Sequence, residues 1–204
     1  MSPAARVVGF ADSGVFEDHQ KFGSTDAPYT DQMQNIWKIG NPATNAACSA
    51  AADDGQGWKC YMAQYIEPFV KTPIFDADAM YDAWMIPNIL QLGCDWRRGP
   101  EPGSCSAAQV KAFEDWGQHA NTTIATALLR PGLERGGFIT ACIHHCQSMY
   151  MCGGEGSHRW TALTIRGTNL RDAFGNFFFR RAGPKLLLDE VAYPHNPSCP
   201  TWGC

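Results

Sequence analysis

Two short segments carry the residues able to do chemistry. Tyr81-Asp82-Ala83-Trp84 follows one β-like apolar run, and Ala141-Cys142-Ile143-His144-His145-Cys146-Gln147 follows a second. A carboxylate and then a histidine, each at the mouth of a strand, are the orienting acid and the general base of a nucleophilic hydrolysis site in the chain order Ser, Asp, His. In such a site the histidine takes the serine proton and returns it to the departing alcohol. The carboxylate fixes the ring tautomer and stabilises its cation. The serine of that order sits on a Gly-x-Ser-x-Gly elbow, yet none of the nine serines has glycine on both sides at two residues' distance. The 204 residues therefore hold the acid and the base without their attacking group, and negligible esterase activity is expected of this polypeptide by itself. Ser13 is a tempting substitute, but Asp12-Ser13-Gly14 reads as a turn. Asp82 has its own structural alternative, a capping carboxylate for a helix over Ala83–Leu92.

A metal site competes for the histidines. Cys142, His144, His145, Cys146, Cys152 and His158 lie close together, and tetrahedral zinc takes four such ligands. The spacing Cys-x3-Cys-x5-Cys fits no common zinc module, so zinc is the less favoured reading, and no metal or other cofactor is expected. Nine cysteines are many for a reducing compartment and suit a secreted, disulfide-stapled domain better than a set of buried thiols. Cys48 with Cys60, and Cys94 with Cys105, each bracket a small polar loop. A bridge across the first would stabilise by roughly 3 kcal/mol. Nine is odd, so at least one thiol stays free or pairs outside the chain. Asn121-Thr122-Thr123 is a glycosylation sequon. The N-terminus does not match secretion: Val7 to Ala11 is too short for a signal peptide and Asp12 ends it. Either the chain is not exported on its own or its true start lies upstream.

Length suits one domain over residues 1–204, large enough to bury a core, and 45% apolar with 18% charged residues places it among globular chains. A net charge of −4 with no basic run argues against a nucleic-acid partner, and no stretch approaches the ~18 apolar residues of a membrane span. A monomer is expected.

The elements that must position Asp82 and His145 follow an α/β pattern. Arg6 to Ala11 reads as a strand, Asp31 to Lys38 as a helix with Met33, Ile36 and Trp37 on one side, and Gly40 to Gly57 as a loop. Tyr61 to Phe69 reads as helical, and Pro73-Ile74-Phe75 opens the strand that ends at Asp82. Gly93 to Ser106 is a loop. Ala107 to Leu129 is the longest helix, with a stripe of Val110, Phe113, Ala120, Ile124, Ala127 and Leu128, Ser106 as N-cap and Pro131-Gly132 as stop. Gly137 to Cys142 is a strand, Leu170 to Arg180 a last helix, and Asp189 to Cys204 a proline-rich tail. Trp84, Trp160 and Phe177-Phe178-Phe179 read as core rather than as a substrate platform. Three strong strands are fewer than a doubly wound sheet needs, so part of a sheet is expected.

These segments resemble the pectin acetylesterase and Notum carboxylesterase family. The resemblance runs in order through Val8 to Phe16, Trp58-Lys59-Cys60, Thr72 to Phe75, Tyr81 to Trp84, Phe138 to Gln147, Trp160 to Leu170 and Tyr193 to Cys199. It implies a partial α/β-hydrolase-like fold lacking the N-terminal strands and the nucleophile elbow. It also implies Asp82 as the acid and His145 as the base of a carboxylic-ester hydrolase acting on an acylated polysaccharide, or second, on an acylated protein. The family's nucleophile and oxyanion hole lie in a Gly-Cys-Ser-Ala-Gly segment before the Asp-Ser-Gly strand, so the chain resembles a C-terminal portion: a fragment, a truncated gene model or a relic. The parent family is extracellular. The rival from another class is a non-catalytic, disulfide-stapled secreted module that keeps the fold for binding. Two cysteines of the family's tail are Val191 and His195 here, which leaves open the partners of Cys142, Cys146 and Cys152.

Overall fold

The computed structural model describes residues 5–40, 43–97, 104–148, 159–191, 193 and 196–199. Four parallel strands form the main sheet: β1 (Gly9–Asp12), β2 (Ile74–Asp82), β3 (Arg135–His144) and β6 (Leu186–Leu188), side by side in that order. Parallel neighbours need crossovers, which puts helices on the sheet faces. Helix α4 (Ala107–Leu128) joins β2 to β3, and α6 (Leu170–Phe178) lies between β3 and β6 in sequence. Both pack on β2 and β3. One apolar cluster joins Tyr81, Ile139 and Ile143 to Phe113, Trp116 and Leu128 of α4. A second joins Phe75 and Phe138 to Leu170, Ala173 and Phe177 of α6. With both faces covered, β3 is buried at every residue.

Helix α4 starts on a capping box. Ser106 Oγ accepts the Gln109 N–H at 3.3 Å and Gln109 Oε1 accepts the Ser106 N–H at 2.9 Å. Gly117 lets the helix lie close on the sheet, since a Cβ there would stand 2.3 Å from Tyr81 Cζ. Tyr81 in turn stacks on Phe113 at 4.6 Å, so α4 grips the residue just before Asp82. The ladder between β2 and β3 slips once. Ala79 faces Thr140 but Tyr81 faces Ile143, so one surplus residue sits in β3, and Asp82 ends opposite His144.

Several expected elements differ. The loop over 40–57 holds a six-residue helix, α2 (Ala46–Ala51), because Asn45 Oδ1 accepts the N–H groups of Ala47 and Cys48. The stretch 61–69 is broken into 3-10 turns at Gly57–Tyr61 and Glu67–Phe69 around a single α-turn, α3 (Ala63–Ile66). The helix over 83–92 is a π-turn at Ile86–Leu90 that closes with Gln91 at φ 51°. Helix α1 (Pro28–Gly40) is longer than expected, and Ile36 and Ile39 on it are exposed, so its apolar side is not buried as the spacing suggests. The sequon Asn121-Thr122-Thr123 lies inside α4, within the stretch expected to be helical. A short turn, α5 (Arg159–Ala162), and a hairpin, β4 (Thr164–Ile165) with β5 (Thr168–Asn169), precede α6.

Among the described residues there are three disulfides: Cys48–Cys60, Cys94–Cys105 and Cys142–Cys199. The third ties β3 to the tail and answers which partner Cys142 takes. Cys146 is a free thiol. Cys152, His158, His195 and Cys204 lie outside the described residues.

Candidate active site

The C-terminal ends of β2 and β3 bring Asp82 and His145 together. His145 Nδ1 lies 2.8 Å from Asp82 Oδ2. The other carboxylate oxygen, Oδ1, accepts the N–H groups of Trp84 at 2.8 Å and Met85 at 2.9 Å. The two readings of Asp82 coexist: one oxygen caps the following turn and the other holds the ring. The carboxylate is 1% exposed and the imidazole 26%. That arrangement fixes Nδ1 as the protonated nitrogen and leaves Nε2 as the atom able to take a proton. The hydrogen bond to Asp82 raises the His145 pKa above its ordinary value. The charges of Asp82 and Asp12 add to this, and partial burial opposes it. The Trp84 ring lies 6.4 Å from the imidazole and meets Phe16 and Tyr29 edge-on, so it is packed among aromatics beside the histidine.

His144, the neighbouring histidine, is buried, and its Nε2 lies 2.7 Å from Thr140 Oγ1. Cys142 is consumed by a disulfide, and among the described residues no three His, Cys, Asp or Glu side chains are grouped to hold a metal. Cys152 and His158, the remaining members of the zinc reading, are outside the described residues. The Cys146 thiol is pushed up by burial and then by the charges of Asp12, Asp82 and Asp78, so it is poorly disposed to become a thiolate nucleophile. Ser13 is buried at φ 53°, its N–H donates to the Ala77 carbonyl at 2.8 Å, and its Oγ accepts the Cys146 N–H at 2.7 Å. Its hydroxyl is committed to the main chain. Phe177 is buried and Phe179 exposed, so only the first of that run is core. Trp160 stacks on Phe10 and donates its indole N–H to the Ser148 carbonyl at 3.2 Å.

Sequence reasoning did not single out Asp12. Its Oδ2 accepts both the N–H (2.9 Å) and the hydroxyl (2.5 Å) of Ser148, three residues beyond His145. The only signal for it was its place at the end of a strand before Ser-Gly.

The Pectinacetylesterase family model matches residues 1–200. Pectin acetylesterase 7 of Arabidopsis thaliana is 28% identical over 150 residues, covering 69% of this chain and 36% of that protein. The palmitoleoyl-protein carboxylesterase NOTUM of Homo sapiens is 24% identical over 222 residues, covering 98% of this chain and 40% of that protein. A crystal structure of the Wnt deacylase Notum from Drosophila superposes with a TM-score of 0.73 at 20% identity, over 96% of this chain and 49% of that one. That likeness establishes an α/β-hydrolase-like fold. The chain spans well under half the length of the two named relatives. With the family model running through nearly every residue from β1 to the tail, this chain belongs to the pectinacetylesterase family.

Proposed function

We propose that Asp82 and His145 are the acid and the general base of a carboxylic-ester hydrolase. They act on a serine that polypeptide outside these 204 residues presents to His145 Nε2. The observation that carries this reading is the 2.8 Å contact between His145 Nδ1 and Asp82 Oδ2, with the other carboxylate oxygen locked by two main-chain N–H groups. The serine would attack the ester carbonyl as its proton passes to Nε2. That proton then leaves with the alcohol, and water repeats the cycle on the acyl-enzyme. The residues form part of a single hydrolase domain.

The substrate proposed first is an O-acetylated polysaccharide, from the pectin acetylesterase relatives. An acylated protein is second, from NOTUM. Three disulfides support an extracellular site of action. A second reading, a binding module without catalysis, is favoured by the tie of Ser13 Oγ to the Cys146 N–H, which engages the serine of the Asp-Ser-Gly turn with the main chain.

The test is hydrolysis of p-nitrophenyl acetate and labelling by a fluorophosphonate. The chain alone is expected to show neither. The chain joined to a family segment bearing a Gly-x-Ser-x-Gly elbow is expected to show both, and to lose hydrolysis in His145→Ala. A joined, folded protein that labels and hydrolyses equally well without His145 would defeat the proposal.

A further inference from the structure

His145 sits just past the end of β3, and the next residue, Cys146, holds φ at 52°. A non-glycine residue stays there only when its surroundings hold it. The groups that hold it come from the end of β1. Ser13 Oγ accepts the Cys146 N–H at 2.7 Å, and Asp12 Oδ2 accepts the Ser148 N–H and hydroxyl. Strand β1 does not pair with β3; β2, which carries Asp82, lies between them. The contacts therefore reach across the mouth of β2. Ser13 is itself anchored by its N–H to Ala77 of β2. The ring of His145 is held by β2 and the chain that follows it is held by β1.

We infer that Asp12 is a positioning residue for His145, fixing the Cys146–Ser148 turn so that the imidazole stays on Asp82, with Ser13 as its auxiliary. This rests on the reading of Asp82 and His145 as the acid–base couple. The charges that act on the ring are those of Asp82 from β2 and Asp12 from β1. Trp84 faces it uncharged. Removing the carboxylate at 12 would therefore act twice. It frees the turn, and it withdraws a negative charge that favours the imidazolium.

The experiment is an imidazole NMR titration of His145 in the 204-residue chain, with the water-exchange rate of its Nδ1–H read alongside. Thermal unfolding of each variant checks that it folds. Asp12→Ala is expected to speed that exchange by about tenfold or more, through local opening, and to lower the His145 pKa. Asp12→Asn keeps an acceptor for Ser148, so it is expected to restore slow exchange while leaving the pKa lowered. Should Asp12→Ala fail to fold, the Asp12→Asn, Ser148→Ala double variant removes the charge and the hydroxyl donor and is read the same way. Asp82→Asn is the reference and is expected to abolish the slow exchange outright. If Asp12→Ala changes neither quantity while Asp82→Asn collapses both, Asp12 has no positioning role and the couple stands. If Asp82→Asn changes neither, the couple itself is refuted.

Discussion

A general base must be neutral before it can work, and His145, proposed above for that role, is held against it. The hydrogen bond from its Nδ1 to a buried carboxylate favours the imidazolium, so the neutral form dominates only above the raised pKa. In a protein completed with a nucleophile, hydrolysis is expected to climb with pH through that raised value. Asp82→Asn would shift the climb to lower pH and cut kcat by a factor on the order of 10⁴, because the wrong ring nitrogen would carry the proton. A kcat–pH profile checks both, and an unmoved limb with undiminished kcat would sink the assignment. The pairing of Asp82 with His145 was expected because each lies in a short run at a strand end and because both runs resemble the family's; the structure shows that pairing, and the catalytic roles remain the proposal. Asp12 was not legible, since its partner Ser148 is 136 positions away and no local pattern joins them. The same holds for Cys142, whose partner Cys199 became clear only when the tail was seen folded against β3.

Among the elements, α4 is the one that fixes the end of β2. Gly117→Ala would gain up to about 1 kcal/mol of helix propensity and lose about 1–3 kcal/mol by driving a methyl into Tyr81. The loss wins because Tyr81 is buried and stacked on Phe113, with no room to withdraw. A lowered thermal midpoint is expected, by a few degrees per kcal/mol at this length; a midpoint unchanged or raised would show that α4 can slide. Helix α4 was readable because stripe, N-cap and stop agree. Helix α2 was not, since Ala46–Ala51 has no apolar period and depends on Asn45 alone to start it. The turn after Asp82 was expected as an α-helix. Its short run from Ile86 to Leu90 instead follows a chain pinned at Trp84 and Met85 by the carboxylate. Three leucines after Gly183-Pro184 were too few to register as β6.

The molecule as a whole carries its titratable burden in the sheet. Asp76 is pushed up to about 7 by burial and then by the charge of Glu67. Asp78 is held well above the carboxylate range by burial and then by the charge of Asp76. Both keep protons in the folded chain that the unfolded chain releases above about pH 4, so stability falls as pH rises past that value. His119, raised by its bond to the buried Glu17, and His145 act in the same direction: what they add is present below about pH 6.5 and is lost as pH climbs through their folded values. Glu134, drawn down to about 2 by Arg6 and Arg180, opposes them only in strong acid, since its contribution is lost as pH falls toward that value. The thermal midpoint is therefore expected to peak at about pH 4 and to decline steadily toward pH 8. Calorimetry across that range checks it, and a midpoint that rises toward pH 8 would mean the sheet carboxyls are not buried as described. The surplus residue of β3 has a further effect at this level. Were the ladder regular beyond Ala79 and Thr140, Asp82 would stand opposite Ile143, and His144 would be first past the strand. One position of slack between two strands thus chooses which of a pair of identical neighbours receives the carboxylate, and which is left to the interior.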